Sequence, residues 1–232
     1  MVKKDYSIDK NIGKILNKSN TNFLDIKACN MICNKLKEKS YKIYYPFEEA
    51  ERVIVYNNEL PSVKLLEIIS YENLTHREIM GGLYATNINY EMFGDIIIYN
   101  NHYYFFAMES ALDMTEEEFK SVGKKNIKLR EVDLSVLDGY KRLYEEITLI
   151  VSSVRIDTVI ARLIGNSREN VKTKFKDGDV QLNYDVCKKL EYNLNTGDIF
   201  SVRKYGKYKF GGIIKNSKSG NYVIKCYKYI DT

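Results

Sequence analysis

The sequence predicts an α+β protein in parts: a helical arm over residues 1–40, a mixed sheet-and-helix domain over 41–136, a connecting helix over 137–150 and a small basic module over 151–232. Three observations lead there. At 232 residues the chain exceeds the usual length of one compact domain. Its apolar residues recur at helical spacing before Tyr41, then at strand spacing in short runs up to about Val136. Charge is divided unevenly as well. From residue 151 onward there are 16 Lys and Arg against 8 Asp and Glu, while residues 1–150 hold 20 against 23. The net charge of +5 therefore belongs to the C-terminal module, and a basic module of this kind points to an anionic macromolecule as its partner.

In the arm, Ile8, Ile12, Ile15 and Leu16 form one helical stripe, and Phe23, Leu24, Ala28, Ile32 and Leu36 a second. Residues 19–22 (Ser-Asn-Thr-Asn) separate them, which predicts a helical hairpin. Residues 42–45 and 52–56 read as extended segments around an acidic connection at 48–51. A strand at 63–70, a helix at 75–87, a hairpin at 95–99 and 103–108 turning at Asn100-Asn101, a helix at 115–122 and a strand at 127–132 follow. The order β-α-β-β-α-β predicts a ferredoxin-like sheet with helices on one face, the topology that also underlies RRM domains. Tyr103 and Phe105 alternate onto one face of that sheet, Tyr104 and Phe106 onto the other. One pair is either a base-stacking platform or a shield over the open side, the other being core. The shield is favoured, because the Gly-aromatic spacing of an RRM motif is missing.

Gly81 and Gly82 inside the 75–87 helix each cost about 1 kcal/mol relative to Ala, which implies close approach to a sheet or to an RNA backbone. Leu137, Tyr140, Leu143, Tyr144 and Ile147 predict the connecting helix, with Val151-Ser152-Ser153 as a hinge.

The C-terminal module opens with a helix at 155–164 whose Ile156, Val159, Ile160, Leu163 and Ile164 face a core. Gly165 is placed to cap it in the left-handed region. Ser167 is placed to cap the next helix, where free N–H groups favour an anion. Arg168, Lys172 and Lys176 lie four apart and form one basic row beside Val171 and Phe175. A strand at 180–183 comes next, and a hairpin at 213–215 and 222–229 closes the chain. Lys207, Lys209, Lys215, Lys218, Lys225 and Lys228 decorate this last stretch. For a single basic helix taken alone, a solvated charged face is favoured over a phosphate-binding one.

The order R-x-D, apolar helix, S-R, helix, G-x-V-x-x-N, then G-D-x-x-x-V-R resembles the S4 RNA-binding domain, with Arg155, Asp157, Ser167, Arg168, Gly178, Val180, Asn183, Gly197 and Asp198 at the matching positions. The continuation from Arg203 to Phe210 is similar to YlmH-type S4 proteins. So are the H-R-x-x-x-G segment at His76–Gly81 and the G-D-I at 94–96 in the middle domain. Lys204 stands where that family usually has Gly, Lys207 where Arg is commoner and Val171 where Ala is usual. The resemblance spans residues 60–232. It implies a C-terminal S4 fold and a non-catalytic factor gripping structured rRNA or tRNA on the large ribosomal subunit, in rescue or quality control of stalled ribosomes. The expected RNA contacts are Arg155, Ser167, Arg168, Lys172, Lys176, Gln181, Asn183, Arg203, Lys204 and Lys207, gathered on one concave surface, with His76 and Arg77 as a second contact.

Two other functional classes fit parts of the sequence. Arg155-Ile156-Asp157 resembles the R-L-D segment of pseudouridine synthases, an S4-bearing class of RNA-modifying enzyme, but no catalytic domain follows it. The two histidines stand without a paired nucleophile, and neither a dinucleotide loop nor a P-loop is present. The third class is a protein–protein adaptor in cell division. The four cysteines have no zinc or redox spacing, so no metal and no cofactor is expected. No apolar run reaches membrane-spanning length, and the N-terminus lacks a signal-peptide core, which predicts a cytoplasmic protein without a membrane partner; a monomer is the expected state.

Overall fold

The computed structural model describes residues 2–17, 19–36, 41–217 and 220–230, with side chains from residue 8 onward; Lys218, one of the lysines noted above, lies outside them. The chain divides into two compact units, Met1–Lys141 and Arg142–Ile230. Together they make a mixed protein of helices and antiparallel sheets, as the α+β reading expects.

The first unit starts with α1 (Val2–Leu16), β1 (Leu24–Asp25), α2 (Ile26–Leu36), β2 (Lys42–Tyr44) and β3 (Arg52–Tyr56), whose strands pair in the order β1-β3-β2. Ile8, Ile15, Ile32 and Leu36 of the helices pack on Val53 and Val55. Ile54, between those two, turns the other way into a second core with Phe23, Leu65 and Phe106. Three consecutive buried aliphatics mark a strand covered on both faces. Residues 42–56, grouped by their extended pattern with the middle domain, therefore share the core of the arm, and no boundary falls at residue 40.

The unit continues with β4 (Val63–Ile69), α3 (His76–Ala85), β5 (Phe93–Tyr99), β6 (His102–Met108), α4 (Leu112–Glu118), the short strands β7 (Ser121–Val122) and β8 (Lys125–Asn126), and β9 (Lys128–Val132). The long strands form an antiparallel sheet in the order β5-β6-β4-β9. Asn100 and Asn101 close the β5–β6 hairpin at φ 51° and 62°, the left-handed conformations that a two-residue hairpin turn requires. Helix α4 starts and stops three to four residues earlier than the pattern suggests. Glu116, Glu117 and Glu118 bring negative charge to the negative end of its dipole and disfavour a longer helix.

Both faces of this sheet are covered at its centre. Tyr103 and Phe105 pack under Ile79 and Leu83 of α3, while Tyr104 and Phe106 join the core of Phe23, Ile54 and Leu65. None of the four aromatics exceeds 9% exposure, so neither pair is a platform and the shield reading also gives way to a second core. The Gly-Asp-Ile segment has a packing role here. A Cβ at Gly94 would meet Phe106 Cβ at 2.7 Å and Phe23 Cε1 at 2.8 Å. The buried Asp95 carboxylate accepts the backbone N–H groups of Glu51 and Arg52, both at 2.9 Å, and so pins the start of β3.

The second unit begins with β10 (Tyr144–Val151), where the sequence predicts a connecting helix. It pairs over its whole length with the last strand of the unit. Its side chains obey strand periodicity, Ile147, Leu149 and Val151 toward the core and Thr148 and Ile150 outward, and the branched residues favour that conformation. Next come α5 (Ile156–Leu163), α6 (Arg168–Lys176), β11 (Val180–Leu182), β12 (Asp185–Val186), β13 (Ile199–Val202), β14 (Gly206–Asn216) and β15 (Tyr222–Tyr229). The six strands lie in the order β10-β15-β14-β13-β11-β12. Ile156, Val159 and Ile160 of α5 and Val171 and Phe175 of α6 meet Val180, Phe200, Val202, Phe210 and Ile224 in a single core. The helices thus cover one face of the sheet. Among the described residues no helix is long and apolar enough to cross a membrane.

Candidate nucleic-acid interface

The α5–α6 pair is built by its caps. Gly165 takes φ 63°, and the Asn166 N–H reaches back to the Ala161 carbonyl at 3.0 Å, the terminating bond of a Schellman turn. Two residues later the Ser167 hydroxyl accepts the Asn170 N–H at 3.2 Å and starts α6. With Val171 and Phe175 drawn into the core, Arg168, Lys172 and Lys176 are forced outward as one exposed row. Lys172 meets Glu169 at 3.0 Å, an exposed pair of the kind that contributes little. Arg168 donates one Nη2–H to Thr158 Oγ1 at 2.5 Å, and its exposed guanidinium shares a cleft of about 490 Å³ with Arg162, Ser152 and Asn166. Arg162 was not among the expected contacts. Its shared helix face with Thr158 was the available signal.

Arg155 is not free to serve a phosphate. Its Nε and Nη2 bond Asp157 Oδ1 and Oδ2 at 3.1 and 2.8 Å, and its Nη1 meets Glu191 at 3.0 Å. Asp157 is 3% exposed. Burial by itself would raise its carboxyl; the bonds and charge of Arg155, then the Thr158 N–H and the charge of Arg168, outweigh that and hold it below the ordinary aspartate range. A buried carboxylate needs such a partner, and Arg155 is the nearest cation the helix start offers. Both Asp157 oxygens are therefore occupied, in contrast to an exposed nucleophile. Thr158 Oγ1 also reaches Asp157 Oδ1 at 3.3 Å, so the same carboxylate steadies Arg168 through one intermediary while leaving its charge exposed.

Asn183 is likewise structural. It and Tyr184 form the β11–β12 turn at φ 47° and 69°. Its amide nitrogen donates to Asp198 Oδ1 at 2.9 Å, its Oδ1 accepts the Ile199 N–H at 2.9 Å, and Asp198 Oδ2 accepts the Asn195 N–H at 2.8 Å. The Asn and the Gly-Asp of the matched pattern thus fasten two loops together. Lys204 stands at φ 72°, a conformation suited to the glycine that the resembling family usually has there. Arg203 is exposed beside Asp179 at 3.5 Å. Lys207 lies between the rings of Tyr184 and Tyr229, at 4.9 and 4.6 Å from their centroids.

The expected contacts do not share one surface. Arg168, Lys172 and Lys176 project from the helices, while Gln181 and Lys207 alternate with the core residues Val180 and Tyr208 and so project from the opposite face of the sheet. The sequence places these cations in one module; the pleat sorts them to two sides.

In the first unit, His76 opens α3 half-buried, and Arg77 is exposed beside it. Thr75 and Glu78 form a capping box there. A Lys125 bond, with those from Thr75, holds Glu78 down to about 2. Glu67, buried at the centre of β4, accepts Arg130 Nε at 3.0 Å and lies 2.6 Å from His102 Nδ1.

Residues 60–136 match the family model described as "Putative RNA-binding domain in YlmH". The chain is 27% identical over 149 residues to the ribosome-associated protein quality control protein P2 of Bacillus subtilis (strain 168), a match covering 64% of this chain and 58% of that protein. It thus spans a little over half the length of the curated relative. A solved structure, the cell division protein ylmH from Streptococcus pneumoniae, is similar in fold with TM-score 0.50 and 16% identity, over 59% of this chain and 94% of that one. The likeness to YlmH-type RNA-binding proteins read from the sequence stands on the family model and the curated relative.

Proposed function

We propose that this YlmH-type chain is a non-catalytic RNA-binding factor whose second unit is an S4 module gripping structured rRNA or tRNA on the large ribosomal subunit. In this reading it acts as a cytoplasmic monomer in the rescue or quality control of stalled ribosomes; its curated relative is named for ribosome-associated protein quality control. One observation carries the assignment: the row Arg168, Lys172 and Lys176 is exposed on a rigid, Ser167-capped helix, with Arg162 beside it across the helix turn. A phosphate backbone needs cations held on one stiff face near a helix N-terminus, and the exposed Lys172–Glu169 pair is weak enough to give way to it. Ser167 itself is engaged as a cap through its oxygen and retains its O–H for a phosphate or a 2′-hydroxyl.

The test is co-sedimentation with purified large subunits. Arg168→Ala combined with Lys172→Ala is expected to abolish it while shifting the melting temperature little, because neither side chain is buried. Retention of the double variant with the subunits, or association that survives ribonuclease, overturns the proposal in favour of a protein-mediated role.

A further inference from the structure

We propose that the outward face of the six-stranded sheet, centred on Tyr227, binds unpaired RNA by base stacking, apart from the α5–α6 surface. This deepens the RNA-binding reading and rests on it. Strand alternation puts Tyr227 and Lys225 of β15 on the side away from the helices, since Ile224 and Cys226 between and beside them are core. Lys209 of β14 pairs directly with Tyr227, and Ile199 of β13 with Lys209, so the row runs across three strands. Gly211 makes the ring lie down: a Cβ there would stand 2.7 Å from Tyr227 Cε2. Tyr227 is half-buried, with Tyr144 edge-on at 6.0 Å and Lys225 Nζ 5.9 Å from its centroid, an aromatic ring flanked by a cation of the kind sheet-based readers of single strands use.

The surrounding charge favours a nucleic-acid strand over other occupants. Lys207, Lys209 and Lys225 stand on this face against Glu146, which pairs with Lys225 at 2.8 Å. Lys209 has no carboxylate partner among the described residues, so it is available to a phosphate. Exposed Gln181 and half-buried Ser201 of β11 and β13 form the neighbouring row with Lys207 and carry hydrogen-bonding groups suited to base edges. In the middle domain the sequence offers a stacking platform only as the less favoured reading of Tyr103–Phe106. There both aromatic pairs are core, whereas this face leaves its tyrosine within reach.

The experiment uses the full chain, a 12-nucleotide oligouridylate with one 5-iodouridine, and a 12-base-pair RNA duplex. Irradiation is expected to crosslink the oligonucleotide to Tyr227. By fluorescence anisotropy, Tyr227→Ala should weaken oligouridylate binding about tenfold, Tyr227→Phe should retain it, and duplex affinity should stay within twofold. Lys209→Glu, which leaves the Tyr227 ring in place, should give a loss of similar size and guards against a misfolded Tyr227→Ala. Crosslinks confined to α5–α6, or oligouridylate binding that is absent or indifferent to both variants, overturn the sheet face. Duplex binding that still depends on Arg168 and Lys172 would then leave the helix-face reading standing.

Discussion

The guanidinium of Arg155 and the carboxylate of Asp157 meet at two points, Nε to Oδ1 at 3.1 Å and Nη2 to Oδ2 at 2.8 Å, with the carboxylate sealed from water. Arg155 is thereby a part of the fold, with Nε, Nη1 and Nη2 each engaged by a carboxylate. Removing one partner of a buried pair costs about 3–5 kcal/mol, but the Arg155 side chain is 33% exposed and solvent screens part of the interaction. Arg155→Ala is expected to lower stability in urea unfolding by about 2 kcal/mol. The folded Asp157 titrates below its ordinary 3.8, so the pair stabilises above that value and is lost as pH falls through the folded one. The gap between the wild type and the variant should therefore narrow below about pH 4. A gap that stays constant to pH 2 would show that the ion pair is not its source.

Asn183 and Lys204 both occupy left-handed backbone, with opposite consequences on substitution. Asn183→Ala loses two side-chain bonds and puts a strained residue at φ 47°, an expected loss of about 2 kcal/mol. Asn183→Gly should recover roughly 1 kcal/mol of it by removing the strain alone. Lys204→Gly should raise the melting temperature through relief at φ 72°, which Lys204→Ala should not do. A stabilising Lys204→Ala would argue against strain at that position.

The two adjacent glycines of α3 differ in what surrounds them. No atom outside its own helix lies within 4 Å of a Cβ built at Gly81, so Gly81→Ala is expected to stabilise by about 0.5–1 kcal/mol. At Gly82 the Cβ would be 2.8 Å from Cε2 of the buried Phe119, and overpacking of this sort costs about 1–3 kcal/mol. Thermal unfolding of the two variants should therefore move in opposite directions. If both stabilise, Phe119 has room to shift and the close approach is not what keeps Gly82.

Arg162, Arg168, Lys172 and Lys176 offer four cations on the helix side of the second unit. If each neutralises one phosphate of structured RNA, log affinity should fall against log salt with a slope of roughly −3 to −4. Arg168→Ala with Lys172→Ala should flatten it by about two units. An unchanged slope would place the phosphates elsewhere.

Much of the second unit was legible in the chain because its signals are local. The stripe from Ile156 to Ile164, the cap at Gly165, the cap at Ser167 and the row from Arg168 to Lys176 each depend on neighbours within one or two helical turns. Side-chain periodicity and capping reach no farther, and they predict these elements well. The same short range explains the misread helix at 137–150. Apolar residues spaced as Leu137, Tyr140, Leu143, Tyr144 and Ile147 satisfy a helix, and only pairing with β15, far along the chain, makes 144–151 a strand.

By itself, then, the sequence determined the α+β composition, the basic C-terminal unit and the capped helix pair, since each follows from contacts among near neighbours. Tertiary structure decided which charges remain available. Arg155 is closed off by Asp157 and by Glu191 from another loop, Asn183 by Asp198 and Ile199, and the remaining cations are dealt to two faces by the pleat of the sheet. A side chain's charge is written in the chain. Its freedom to meet a partner depends on what the fold brings within 3 Å of it.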